Sequence, residues 1–215
     1  HLIPVLQALE TRIITIAQSE RPGLLAYLNN LGLTEVSNAA IVDIGYSATV
    51  QGYLNDLINK GINGYYLMTR KRAEQVSSKY KVIAQGYFCH YIHPDINSPV
   101  ILRESFSLEK LLSSDDAQIV SYRQADSGDI LPEFRHLADE ERLSMLKRAE
   151  IRRGIMDFVN QSIMIRDKLV SDFKVPPDIA IDLFEEFIAH PSQAEQDILG
   201  ALVLDDYYCG RGIVS

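Results

Sequence analysis

The chain has 215 residues, of which 47% are hydrophobic and 23% are charged, and its formal net charge at pH 7 is −8. A chain of this length and composition is typical of a globular protein that buries its core without disulfides or structural metals. The negative charge argues against general binding to nucleic acids or anionic membranes, because both require a basic surface.

The cysteines of the chain indicate its compartment, and its two ends indicate whether it is a fragment. Cys89 and Cys209 indicate free thiols in a reducing, cytoplasmic compartment, although nothing in the sequence prevents them from pairing. There is no signal peptide and no apolar run of about 18 residues, so we expect no membrane span. The chain starts at His1 and ends abruptly at Ser215, so we interpret both ends as fragment boundaries.

The first elements are predicted to be helical. Residues 5–30 have helical spacing, with one apolar stripe made by Leu6, Leu9, Ile13 and Ile16 and a second stripe after Pro22. Since proline is favoured in the first turn of a helix, we predict that a new helix begins at Pro22.

A βαβ unit follows. Residues 39–44 are apolar and rich in β-branched side chains, which is typical of a parallel strand buried on both faces. Gly45 ends this strand, residues 48–60 have helical spacing with Gly61 as the predicted C-cap, and residues 64–68 form the next strand. We therefore expect two parallel strands joined by a right-handed crossover.

Further elements are predicted from shorter patterns. Residues 70–81 are polar and indicate a surface segment, whereas residues 82–88 predict another strand and residues 107–112 a short helix. Residues 118–123 and 130–134 flank a glycine-containing turn and predict a β-hairpin.

The remainder of the chain is predicted to be helical. Residues 137–173 form one long helix or a broken pair, and another helix covers residues 179–188. Ser192 is the predicted N-cap of the last helix, with Glu195 completing a capping box. The predicted fold class is thus α/β, with a Rossmann-like parallel-sheet core that contains a βαβ unit and a mainly helical C-terminal part. The predicted units are N-terminal helices over 1–34, an α/β ligand-binding core over 35–135 and a helical region over 136–215.

The candidate ligand site is the turn between the first strand and its helix, because open parallel sheets bind ligands beyond the carboxyl ends of their strands. Gly45 permits a positive φ, and the N–H groups of residues 46–49 should be free at the helix N-terminus, where the helix dipole attracts anions. We predict a small anionic ligand and no cofactor. The predicted ligand-binding residues all belong to this turn: Asp43, Gly45, Tyr46, Ser47, Thr49 and Gln51.

Each polar side chain of the turn has a possible ligand role and a simpler structural one. The hydroxyls of Ser47 and Thr49 can bond phosphate or carboxylate oxygens, and Gln51 can reach the same crevice. Asp43 can accept a bond from a sugar hydroxyl, bind a metal or repel a misplaced anion. Alternatively, Ser47 or Thr49 only caps the helix, and Asp43 only bonds amides of its own turn.

A metal site is the weaker possibility elsewhere in the chain. Cys89, His90 and His93 are residue types that bind metals. Adjacent residues of a strand point to opposite faces, however, so we predict packing or surface roles for them and no metal site.

Several short motifs, in chain order, match one arrangement. The turn Val42-Asp43-Ile44-Gly45-Tyr46-Ser47-x-Thr49-x-Gln51 fits the pattern Val-Asp-Ile-Gly-Trp/Tyr-x-Gly/Ala-Thr/Ser-x-Gln. Further matches are Leu31-Gly32-Leu33, Gly64-Tyr65-Tyr66-Leu67, Leu108-Glu109-Lys110-Leu111-Leu112-Ser113 and Phe187-Ile188-x-x-Pro191. This arrangement resembles a region of bacterial proteins described as predicted haloacid-dehalogenase-like (HAD-like) hydrolases. Such proteins often also carry glycosyltransferase domains and belong to surface-polysaccharide biosynthesis.

The resemblance implies a module of a larger bacterial protein, in contact with its other domains, that binds a phosphorylated or nucleotide-linked sugar at the turn of residues 43–51. Two alternatives are a phosphate-ester hydrolase in its own right and a non-catalytic docking module. HAD hydrolases use an Asp-x-Asp motif with the first Asp as nucleophile, and this motif does not occur in the chain. The resemblance therefore places the nucleophile of any hydrolase outside this chain.

Overall fold

The structure is a computed structural model that describes residues 3–93, 98–137, 139–169, 174–202, 204–206 and 210–212. Its elements are, in chain order, α1 (Ile3–Asn30), β1 (Ala40–Asp43), α2 (Thr49–Ile58), β2 (Asn63–Arg70), α3 (Lys71–Tyr80), β3 (Ala84–Ile92), α4 (Val100–Arg103), α5 (Ser105–Leu112), β4 (Ile119–Gln124), β5 (Ile130–Phe134), α6 (Asp139–Lys168), α7 (Pro177–Ala189), α8 (Gln193–Ala201), β6 (Leu204–Asp206) and β7 (Gly210–Gly212). The predicted α/β class with a mainly helical C-terminal part is confirmed.

A three-stranded parallel sheet in the order β1-β2-β3 forms the core, and it contains the predicted βαβ unit. Its helices α2 and α3 lie on one face, where Ala48, Tyr66, Ala73 and Ala84 form a buried cluster. This follows from the strand order, because successive right-handed crossovers between adjacent strands leave both helices on the same side of the sheet.

Much of the opposite face of the sheet, here called the bare face, is left uncovered by the residues that the structure describes. Val42 is 87% exposed, and Tyr65 and Tyr87 also stand in the open. The prediction that the first strand is buried on both faces is therefore wrong. Its apolar composition reflects a parallel strand, but the described part of the chain supplies helices for one face only.

A second apolar cluster closes the carboxyl end of the sheet. Met68 packs with Ile101 and Leu102 of α4, and all three are buried. Partly buried side chains from the turn, α5 and α7 join the cluster, among them Tyr46 and Leu108. The turn after β1 and helix α5 are thereby held side by side.

The predicted hairpin is present as β4 and β5, which pair antiparallel and form a sheet of their own. It packs against the end of α1, where the rings of Tyr27 and Tyr122 lie 4.8 Å apart. The capping box of Ser192 and Glu195 at the start of α8 is also confirmed.

Two local predictions are wrong, and one helix was missed within a segment that does lie at the surface. Helix α1 continues through Pro22, whose turn is exposed, so water can satisfy the carbonyl that loses its partner. The polar segment over residues 70–81 is mostly the helix α3, whose narrow apolar stripe of Ala73 and Val76 is easily missed. Helix α2 ends at Asn59 in the left-handed conformation, not at Gly61, because asparagine also tolerates a positive φ.

The helices α1 and α6 expose much apolar surface. Every residue over 3–22 is exposed, including the stripe of Leu6, Leu9, Ile13 and Ile16. The whole chain exposes 14793 Å², whereas a compact protein of its 24.2 kDa exposes about 10,000 Å². Within the described residues, neither these helices nor any other combines the length and hydropathy of a membrane span.

Candidate anion-binding site

The turn between β1 and α2 is shaped by Asp43 and Ala48. The Asp43 carboxylate accepts a hydrogen bond of 2.8 Å from the N–H of Gly45, as the structural alternative proposed. The left-handed residue is Ala48, with φ of 55°, and Gly45 does not adopt a positive φ. The predicted reason for Gly45 is therefore wrong. A β-carbon at Gly45 would lie 3.2 Å from both Asp43 carboxylate oxygens, so glycine instead permits their close approach.

The backbone of the turn carries a run of unused donors. Among the described residues, the N–H groups of residues 46–51 find no hydrogen-bond acceptor, and the first helical bond of this segment is donated by Gly52 to Ala48 at 3.0 Å. No side chain caps α2, so Ser47 and Thr49 do not have the structural role that would have explained them. The N-terminus of α2 thus keeps the positive end of its dipole uncompensated by protein groups.

Gln51 does not belong to this surface. Its side chain is 0% exposed and donates to the carbonyl oxygens of Ile62 and Ile83 at 2.6 and 2.8 Å. It also accepts a bond of 2.9 Å from the Tyr66 hydroxyl. Because all these partners lie inside the fold, the prediction that Gln51 reaches the ligand crevice is wrong. Its amide instead links α2 to β2 and to the start of β3.

Arg70, at the carboxyl end of β2, adds a cation that was not predicted as a site residue. Its N–H donates to the Tyr46 carbonyl at 2.8 Å, and its guanidinium carbon lies 4.0 Å from the centre of the Tyr46 ring. Its Nε is buried and has no hydrogen-bond partner in the described part of the chain. Its position at a strand end was a usable signal, because the strands β1 and β2 end at the same edge of the sheet.

Glu109 of α5 completes the cluster and was also missed as a site residue. Burial raises the pKa of its carboxyl group, and the negative charge of Asp43 adds to this shift. A hydrogen bond from the neighbouring Tyr46 hydroxyl and the positive charge of Arg70 oppose the shift. Burial and the Asp43 charge likewise raise the pKa of the Tyr66 hydroxyl. Asp43, Tyr46, Arg70 and Glu109 therefore lie close to one another at the carboxyl end of the sheet.

Glu109 also lines a cleft of about 740 Å³. It is bounded by the end of α1, by α5, by the hairpin and by the start of α6. Its wall contains a buried ion pair in which Arg135 donates to both Glu141 carboxylate oxygens, at 2.8 and 3.1 Å. Such two-point pairs hold both side chains in fixed positions.

The structure does not assemble Cys89, His90 and His93 into a metal-binding group, and no cluster of three such ligands occurs among the described residues. His90 accepts a hydrogen bond of 3.2 Å at Nδ1 from the N–H of Gly86. Burial raises the pKa of the Cys89 thiol, which disfavours the thiolate that metals prefer. Asp115, in the loop after α5, accepts a hydrogen bond from Arg152 of α6.

No protein-family model, curated protein or solved structure matches the chain.

Proposed function

We propose that this chain is a ligand-binding module of a larger cytoplasmic bacterial protein of the HAD-like hydrolase and glycosyltransferase type, acting in surface-polysaccharide biosynthesis. In this proposal it binds a phosphorylated or nucleotide-linked sugar at the turn of residues 43–49. The family part of the proposal comes from the sequence resemblance, and the ligand part is supported by the geometry of the turn.

The observation that carries the ligand proposal is the run of unpaired N–H groups over residues 46–51. Several amide donors at one helix N-terminus match the several oxygens of a phosphate group, and the helix dipole adds to the attraction. Arg70 places a positive charge beside the same turn, on the Tyr46 ring. The donors lie beyond the carboxyl ends of parallel strands, where such sheets bind their ligands.

The two acidic side chains fit the sugar part of such a ligand better than its phosphate. Asp43 uses a carboxylate oxygen for the Gly45 amide and keeps further acceptor capacity for a hydroxyl group. The Glu109 carboxyl group lines the adjoining cleft and offers oxygen acceptors of the same kind.

The Ser47→Ala, Thr49→Ala double variant tests the proposal. It removes two hydroxyls that make no bond within the described chain, so we expect unchanged thermal unfolding and affinity for UDP-glucose weakened about tenfold. Isothermal titration calorimetry measures the affinity. A matched Thr11→Ala, Ser19→Ala variant on the exposed helix α1 should bind as the unaltered chain does. Equal binding by the turn variant and this control would contradict the proposal.

A docking role is a second candidate, and a specific observation favours it. The apolar stripe of α1 and the bare sheet face around Val42 expose several large apolar side chains next to one another, and such patches mark interaction surfaces. Contact with other domains of a parent protein would cover them, and this role is compatible with ligand binding. The third possibility, a hydrolase, would require phosphatase activity of this chain that is lost in the Asp43→Asn variant.

A further inference from the structure

The cleft beyond Glu109 has the size and lining of a small-molecule site. Its volume of about 740 Å³ falls in the range that protein ligand pockets occupy, roughly 300–1,000 Å³. Two aromatic side chains, Tyr27 and Phe134, line it together with the hydroxyls of Ser113 and Ser114. The Phe134 ring is 47% exposed, so its face is available to a ligand without any rearrangement of the core.

The polar groups of the cleft suit a ligand rich in hydroxyls. Arg135 and Glu141 hold each other in a two-point pair and both line the wall, so this part of the cleft is polar and fixed in shape. Glu109 and Asp116 add carboxylate acceptors. A lining with cations and anions in similar number favours an uncharged polar group over a second phosphate, because neither charge sign dominates.

Glu109 connects this cleft to the turn. Its carboxyl group lines the cleft and is also coupled to Tyr46, Asp43 and Arg70 at the end of the sheet. The connection is maintained by the second apolar cluster, in which Tyr46 and Leu108 pack around the same buried core. The cleft and the turn thus both adjoin helix α5, the cleft through Glu109 and the turn through the apolar cluster that contains Leu108.

We propose that the sugar of the bound ligand occupies this cleft, with its ring against Phe134 and a hydroxyl bonded to Glu109. This inference rests on the proposed function, since it assigns a place to the sugar that the phosphate at the turn carries. The turn then supplies affinity for any ligand with the phosphate group, whereas the cleft distinguishes a nucleotide-linked sugar from the nucleotide alone.

Paired titrations test the two parts separately. Calorimetry is performed with UDP-glucose against UDP and with GDP-mannose against GDP. We expect the unaltered chain to bind at least one nucleotide sugar about tenfold more tightly than its nucleoside diphosphate. Phe134→Ala and Glu109→Gln should each remove most of this difference, and Phe134→Ala should change the affinity for the diphosphate by less than about twofold.

Phe158→Ala is the matched control, because it removes an exposed phenylalanine from α6 at a point outside the cleft. It should retain the full preference for the nucleotide sugar. The cleft assignment is overturned if the unaltered chain does not prefer either sugar, or if both cleft variants keep the preference. In those cases binding of the diphosphates still supports the turn. Absence of binding by all four compounds would reject both the turn and the cleft.

Discussion

The two faces of the parallel sheet have nearly the same kinds of side chain but different surroundings. On the helix-covered face, Gln51 and Tyr66 are buried and bonded to each other. On the bare face, Tyr65 of β2 and Gln85 of β3 are neighbours in register, and both are exposed. The difference teaches that burial here is decided by where the crossover helices lie, and that residue type alone does not reveal it.

The largest expected effect on stability comes from replacing the buried glutamine, with the exposed glutamine as its comparison. Gln51→Ala removes three hydrogen bonds and leaves the carbonyls of Ile62 and Ile83 without this donor, so we expect a loss of about 3 kcal/mol in the free energy of unfolding. Gln85→Ala on the bare face should change it by less than about 0.5 kcal/mol. Urea denaturation measures both. A comparable loss in the two variants would mean that both faces are covered in solution.

The two neighbouring tyrosines allow the same comparison of the two faces by the removal of a single oxygen atom. Tyr66→Phe deletes the hydroxyl that donates to Gln51, so we expect destabilisation by about 1–2 kcal/mol. Tyr65→Phe deletes the hydroxyl of an exposed ring and should lie within about 0.3 kcal/mol of the unaltered chain. Urea denaturation measures both effects, and a larger destabilisation by Tyr65→Phe than by Tyr66→Phe would contradict this expectation.

The smallest expected effect is at Val42. Val42→Thr replaces a methyl group with a hydroxyl on a side chain that is 87% exposed, so the free energy of unfolding should change by less than about 0.5 kcal/mol. A loss above about 1 kcal/mol, or one that grows with protein concentration, would show that another copy of the chain covers this face.

The sequence predicted the sheet and the βαβ unit because a short β-branched run, a glycine and a helical period follow one another over 39–68. It missed α3, since a helix with only Ala73 and Val76 as its inner stripe resembles a polar loop. The Asp43–Gly45 bond and the free amides were predictable from the local turn.

Other features of the site depend on tertiary packing. Gln51 was placed in the crevice because a residue in the first turn of a helix can point outward or inward, and only the position of β2 decides which. Arg70 and Glu109 come from elements far apart in the chain, and the apolar cluster around Met68 brings them to the turn. No local pattern carries that information.

The left-handed conformation of Ala48 has an evolutionary consequence. An L-residue with a side chain pays roughly 1–2 kcal/mol to adopt this conformation, which a glycine would not. The alanine methyl group, however, is only 2% exposed and fills space against Tyr66, Ala73 and Ala84. Glycine would release the strain and open a small void, so the two changes offset each other. Every larger residue would keep the strain and would also be crowded in the buried space. Substitution at this position should therefore be confined, over long divergence, to exchange between the two smallest amino acids.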